Sequence, residues 1–64
     1  MVEGSRVFLN SSCGEIERVL VKDMGEVLLV CREEEWRRAN EAGDIPVSVG
    51  FKRVDLVQHA YVEN

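Results

Sequence analysis

Cys13, Cys31 and His59 are the chain's only thiols and its only imidazole. A zinc-type centre needs three or four such ligands, usually in close pairs such as C-x-x-C or H-x-x-x-H. These three stand singly and far apart, so no metal site is expected. Cys13, followed by Gly14, is the one candidate nucleophile. It lacks an adjacent base, and Glu15 and Glu17 beside it disfavour a thiolate. Glu33, Glu34 and Glu35 read as the solvated start of a helix before they read as an acid/base pair. A domain this small also has little depth for a substrate cavity. The expectation is a protein that is not an enzyme, with no cofactor, no catalytic residues and no small-molecule substrate.

Two further clusters carry a different chemistry. Trp36-Arg37-Arg38 and Phe51-Lys52-Arg53 each set an aromatic beside two bases. Such a cluster can stack a nucleobase and hold a phosphate. Twelve acids against eight bases give a formal charge of −4, however, and that field repels phosphate backbones and anionic membranes. Nucleic-acid contact through these six residues is the alternative reading, disfavoured by net charge. The plainer one puts both rings in the core and pairs the bases with Glu33, Glu34 and Asp55.

Sixty-four residues make a single small domain, residues 1–64. A chain of that length buries only about 60% of its unfolded surface, so its stability is modest. An apolar share of 45% is that of a globular protein. Phe8, Trp36, Phe51 and Tyr61 are the only aromatics, which leaves the core to Val, Leu and Ile. Two cysteines make too thin a framework for a disulfide scaffold. Met1 to Arg6 has no apolar signal-peptide region. The longest apolar run, Val27 to Cys31, is far too short to cross a bilayer. These features read as a complete, soluble, cytoplasmic protein with no membrane partner.

The elements that must position any site are mostly strands. Arg6-Val7-Phe8-Leu9 reads as a first strand, ended by the polar loop Asn10 to Gly14. Glu15 to Lys22 and Glu26 to Val30 read as a hairpin. Asp23-Met24-Gly25 supplies its turn, Gly25 taking the positive φ at the last loop position. That turn places Lys22 opposite Glu26 and Val21 opposite Val27. Ile16 and Val19 are three apart, so a bulge between them is needed if both are to point inward. Glu33 to Ala42 is the one helix. Acids fill its first turn, Glu33–Arg37 and Glu34–Arg38 have i,i+4 spacing, and Gly43 and Pro46 stop it. Arg32 is a poor N-cap. Val47 to Phe51 and Leu56 to Val62 complete the strands, with Lys52 to Asp55 as a tight helical turn between them.

Five short strands with one helix between the third and fourth predict a mainly β fold, a small five-stranded barrel or strongly bent antiparallel sheet. Val7-Phe8-Leu9, a loop, and then Gly14-Glu15-Ile16-Glu17-Arg18-Val19 resembles the opening of the SH3-like small barrels. It is most similar to the Tudor and KOW type, where G-x-[IV]-x-x-[IV] opens the second strand. The resemblance covers the first third of the chain. It implies a binding module, and KOW relatives often contact RNA or transcription machinery. This chain departs from that pattern in being acidic and in lacking a basic loop.

The hairpin is apolar on both faces. Val19, Val21, Val27, Leu29 and Cys31 share one face, and Leu20, Leu28 and Val30 the other. The expected core is Val7, Leu9, Ile16, Val19, Val21, Val27, Leu29, Val49, Val54 and Leu56. Phe8, Leu20, Leu28 and Val30 are then left outside as a protein-interaction patch, since monomers rarely expose such a cluster without use. A protein partner or a second copy covers it, unless the helix does.

Overall fold

The computed structural model describes residues 2–57. Four antiparallel strands form a meander in the order β1-β2-β3-β4: β1 is Arg6–Ser11, β2 Gly14–Asp23, β3 Val27–Cys31 and β4 Val49–Lys52. The helix α1, Glu33–Ala42, lies between β3 and β4, and a 3₁₀ turn, Arg53–Asp55, follows β4. The sheet curls into a half-barrel. Leu56 then forms an antiparallel bridge to Leu9, and the Val57 N–H donates to the Phe8 carbonyl at 2.8 Å. Of the expected last strand, Leu56 and Val57 reach β1; residues 58–62, with His59 and Tyr61, lie outside the described residues.

The first hairpin is tighter than its polar composition suggests. Ser11 pairs with Gly14, so β1 and β2 run up to the two-residue turn Ser12-Cys13. The Ser11 hydroxyl accepts from the Cys13 N–H (3.2 Å) and donates to the Gly14 carbonyl (2.8 Å). A serine able to bond its own turn lets strand pairing continue where a loop was expected.

In the second hairpin Gly25 has the expected positive φ, 94°, but the register differs. Asp23 pairs with Leu28, Lys22 with Leu29, Leu20 with Val30 and Val19 with Cys31. Lys22 is therefore not opposite Glu26, nor Val21 opposite Val27. The irregularity falls between Leu20 and Lys22, not between Ile16 and Val19. Up to Leu20, β2 alternates regularly: Ile16 pairs with Leu9 and Arg18 with Val7, so Ile16, Arg18 and Leu20 share the inner face. Continued alternation would turn Lys22 inward as well. The bulge at Val21 instead places Lys22 with Leu29 on the outer face.

This phase decides which side of the hairpin is the core, and it is the reverse of the expectation. Leu9, Leu20, Leu28 and Val30 are wholly buried, and with Val7 they form the central cluster. Ile16, Phe51 and Leu56 pack against it. Leu20, Leu28 and Val30 therefore form no exposed patch. Phe8 is half-buried and belongs to the opposite face, because its β2 partner is Glu17. Val21 and Leu29 are half-buried, and Val27, Val49 and Val54 are exposed rather than core.

The outer face carries a smaller buried group. Val19 and Cys31 are cross-strand partners opposite in phase to Leu20 and Val30, and both are buried, as is Ala39 of α1. The helix packs against β2 there. Arg6, on the same face as Val19, bonds Glu33 at the helix start (3.3 Å) and Glu17 (3.2 Å). Glu33 thus pairs across the fold instead of with Arg37, and Arg38 pairs with Glu35 (3.2 Å) instead of Glu34. The helix ends in a Schellman-type cap: Gly43 has φ 73°, and the Asp44 N–H reaches the Ala39 carbonyl at 2.8 Å. Trp36 lies over Gly4, where an added Cβ would meet its ring at 3.2 Å.

Candidate functional site

The two edges of the sheet are not equivalent. Leu56 and Val57 lie along β1, whereas β4 ends the sheet with no described strand beyond it. Val49 pairs with Val30, Gly50 with Leu29, Phe51 with Leu28 and Lys52 with Val27. The Arg53 N–H donates to the Glu26 carbonyl at 2.8 Å. In an antiparallel ladder the bonded pairs alternate, so Phe51 and Val49 also bond back to β3. The N–H and C=O groups of Gly50 and Lys52 then point away from the sheet, into the open edge.

The segment leading into this edge is apolar and exposed. Ile45, Val47 and Val49 alternate with Pro46 and Ser48 and are 87%, 76% and 56% exposed. These three β-branched side chains, spaced by two, form an exposed apolar ridge that leads into β4. Val47 and Val49 line a shallow groove of about 400 Å³ with Arg18, Arg32, Glu34 and Glu35. Beyond Lys52, a second depression of about 490 Å³ is lined by Glu26, Val27, Lys52, Arg53 and Val54. Gly50 sits between them. A Cβ there would meet Val27 Cγ1 at 3.2 Å, so β4 is narrow where its backbone is open.

Arg53 fixes one end of this edge. Its guanidinium bonds the Asp23 carboxylate and the Gly25 carbonyl. The same carboxylate accepts from the Gly25 N–H at 3.0 Å. These contacts tie the 3₁₀ turn to the β2–β3 turn, and they replace the expected pairing of Arg53 with Asp55. The Arg53 hydrogen bond, followed by the Gly25 N–H, holds the Asp23 pKa below its ordinary value.

The other candidate residues are dispersed by the same geometry. Phe51 packs on the core and Trp36 on Gly4, both half-buried. Arg38 is paired with Glu35 and Arg53 with Asp23, while Arg37 and Lys52 are exposed. Both rings of the two aromatic–basic clusters thus have packing neighbours within the fold. Cys31 is buried; desolvation, and then the Glu35 charge, push its thiol pKa up, which opposes a nucleophilic role. Cys13 is exposed on the β1–β2 turn. No group of three His, Cys, Asp or Glu side chains converges on a point that could hold a metal among the described residues. No described helix is long and apolar enough to cross a membrane.

The exposed ridge was not among the sequence-derived candidates. Its signal was Pro46 at the start of an alternating run. Proline donates no ladder hydrogen bond and so favours edges over central strands. No family model matches this chain, and neither does any curated protein or solved structure.

Proposed function

We propose that this protein is a non-enzymatic interaction module that takes up an extended segment of a protein partner along the β4 edge. The observation that carries this reading is the continuity of two features: the open backbone of Gly50 and Lys52, and the exposed ridge Ile45, Val47, Val49. An added strand gains main-chain hydrogen bonds from the first and side-chain contacts from the second. Natural sheets blunt unused edges with charge, proline or a cover. Here Pro46 and Lys52 bracket the edge, and the stretch between them, Val47 to Phe51, carries no charge. We read the half-barrel as an SH3-like small barrel; the Leu9–Leu56 bridge supports that reading by bringing the chain back to β1. Binding of RNA, the alternative implied by the KOW resemblance, has less support, because both aromatic rings of its candidate surface are engaged in packing.

The test is site-specific photo-crosslinking in the native cell. A photoreactive residue at Val47 should give a discrete adduct, and one at Ser12, on the remote β1–β2 turn, should not. Equal adduct formation at both positions, or none at Val47, contradicts the proposal.

A further inference from the structure

The groove beside the β4 edge carries a charge pattern that selects among possible strands. Arg18 and Arg32 line it together with Val47 and Val49. Arg18 stands on the inner face of β2, paired with Val7, and is half-buried at the mouth of the half-barrel. Its guanidinium donates to a main-chain group, the Glu17 carbonyl, at 2.8 Å. Neither Arg18 nor Arg32 forms an ion pair with a carboxylate among the described residues. Two acids share the groove; Glu35 is occupied by Arg38, which leaves Glu34 against two guanidinium groups. At the far end of β4, Lys52 is exposed and shares its depression with Glu26, while Arg53 is neutralised by Asp23, so that end is electrically balanced. Beside the aliphatic ridge, Arg18 and Arg32 thus present two guanidinium groups with no carboxylate ion-paired to them among the described residues, and Glu34 is the one groove acid without an ion pair there.

Guanidinium groups bind carboxylates with short, charge-assisted and often bidentate hydrogen bonds, and charge complementarity fixes the register of an incoming strand. We propose that the segment taken up at β4 is acidic: an extended peptide with aliphatic side chains on Val47 and Val49 and a carboxylate reaching Arg18 and Arg32. This inference rests on the reading of β4 as the docking edge, and its test separates the two. A second copy of the chain is the alternative occupant, and the same titration distinguishes it.

The experiment is a titration of the ¹⁵N-labelled protein with two blocked peptides of alternating valine and threonine. One carries a terminal glutamate and the other a glutamine in its place. The expected result is perturbation of the Gly50 and Lys52 amides by both, with the glutamate peptide binding about tenfold more tightly at low salt and losing that margin in R32Q. R18Q is the second variant, with its fold checked by circular dichroism. Equal affinity for the two peptides overturns the acidic preference and leaves the docking edge intact. Binding of neither at millimolar concentration overturns both. Dimerisation of the protein alone, seen by light scattering together with the same amide shifts, makes a second copy the occupant and overturns the peptide proposal.

Discussion

The Arg53 guanidinium holds the Asp23 carboxylate across thirty residues of chain, joining the 3₁₀ turn after β4 to the turn between β2 and β3. The same arginine bonds the Gly25 carbonyl, and its own N–H bonds the Glu26 carbonyl. Three contacts from one residue fix where the chain leaves β4 and so aim Leu56 at Leu9. Because the native Asp23 pKa lies below its unfolded value, the contact stabilises the fold above that unfolded value, near 4, and the contribution is lost as pH falls through the native pKa. Chemical denaturation between pH 2 and pH 7 should show D23N less stable than wild type at neutral pH, with the gap closing below about pH 4. A pH-independent gap contradicts this assignment.

The inner face of the hairpin should dominate stability. Leu20→Ala and Leu28→Ala each remove a wholly buried side chain and should cost about 2–5 kcal/mol in urea denaturation, a loss sufficient to unfold a domain this small. Val47→Ala should stay within about 0.5 kcal/mol of wild type. Similar losses at Leu20 and Val47 contradict the placement of the core.

Gly4 has φ 90° and lies under the indole of Trp36. An alanine there is strained in its backbone and closer to the ring than ordinary packing permits. Gly4→Ala should destabilise the fold by about 1–2 kcal/mol. Trp36 is the only tryptophan, so its fluorescence reports this site directly. Its emission should shift to the red in the variant, and an unchanged spectrum and midpoint contradict the contact.

The two thiols should differ in reactivity. Cys13 is exposed and Cys31 is buried, with desolvation and Glu35 opposing its ionisation. Ellman's reagent should titrate one thiol in the native protein and two after denaturation. Fast reaction of both in the native state contradicts burial of Cys31 at the end of β3.

Local chemistry was readable along the chain. The Gly25 and Gly43 turns, the helix bounds Glu33–Ala42 and the missing N-cap at Arg32 follow from residue type and spacing. So did the division of the hairpin into two apolar sets. Which set faces the core was not readable, because both are aliphatic and the choice depends on one extra residue. A bulge between Ile16 and Val19 favours one face, and the observed bulge at Val21 favours the other. The Asp23–Arg53 pair was hidden by its separation in the chain, which left Asp55 as the nearer partner. The exposed ridge was masked for a related reason. Val47 and Val49 alternate as a core strand does, and their exposure follows from β4 being the last strand of the sheet among the described residues.

The central claim is that β4 presents an open edge, and amide hydrogen exchange of the isolated protein at low concentration tests it most directly. Val49 and Phe51 should be protected together with the core amides, while Gly50 and Lys52, turned away from β3, should exchange rapidly. Protection of Gly50 and Lys52 equal to that of Val49 and Phe51 would mean that the edge is already covered, and would contradict the account.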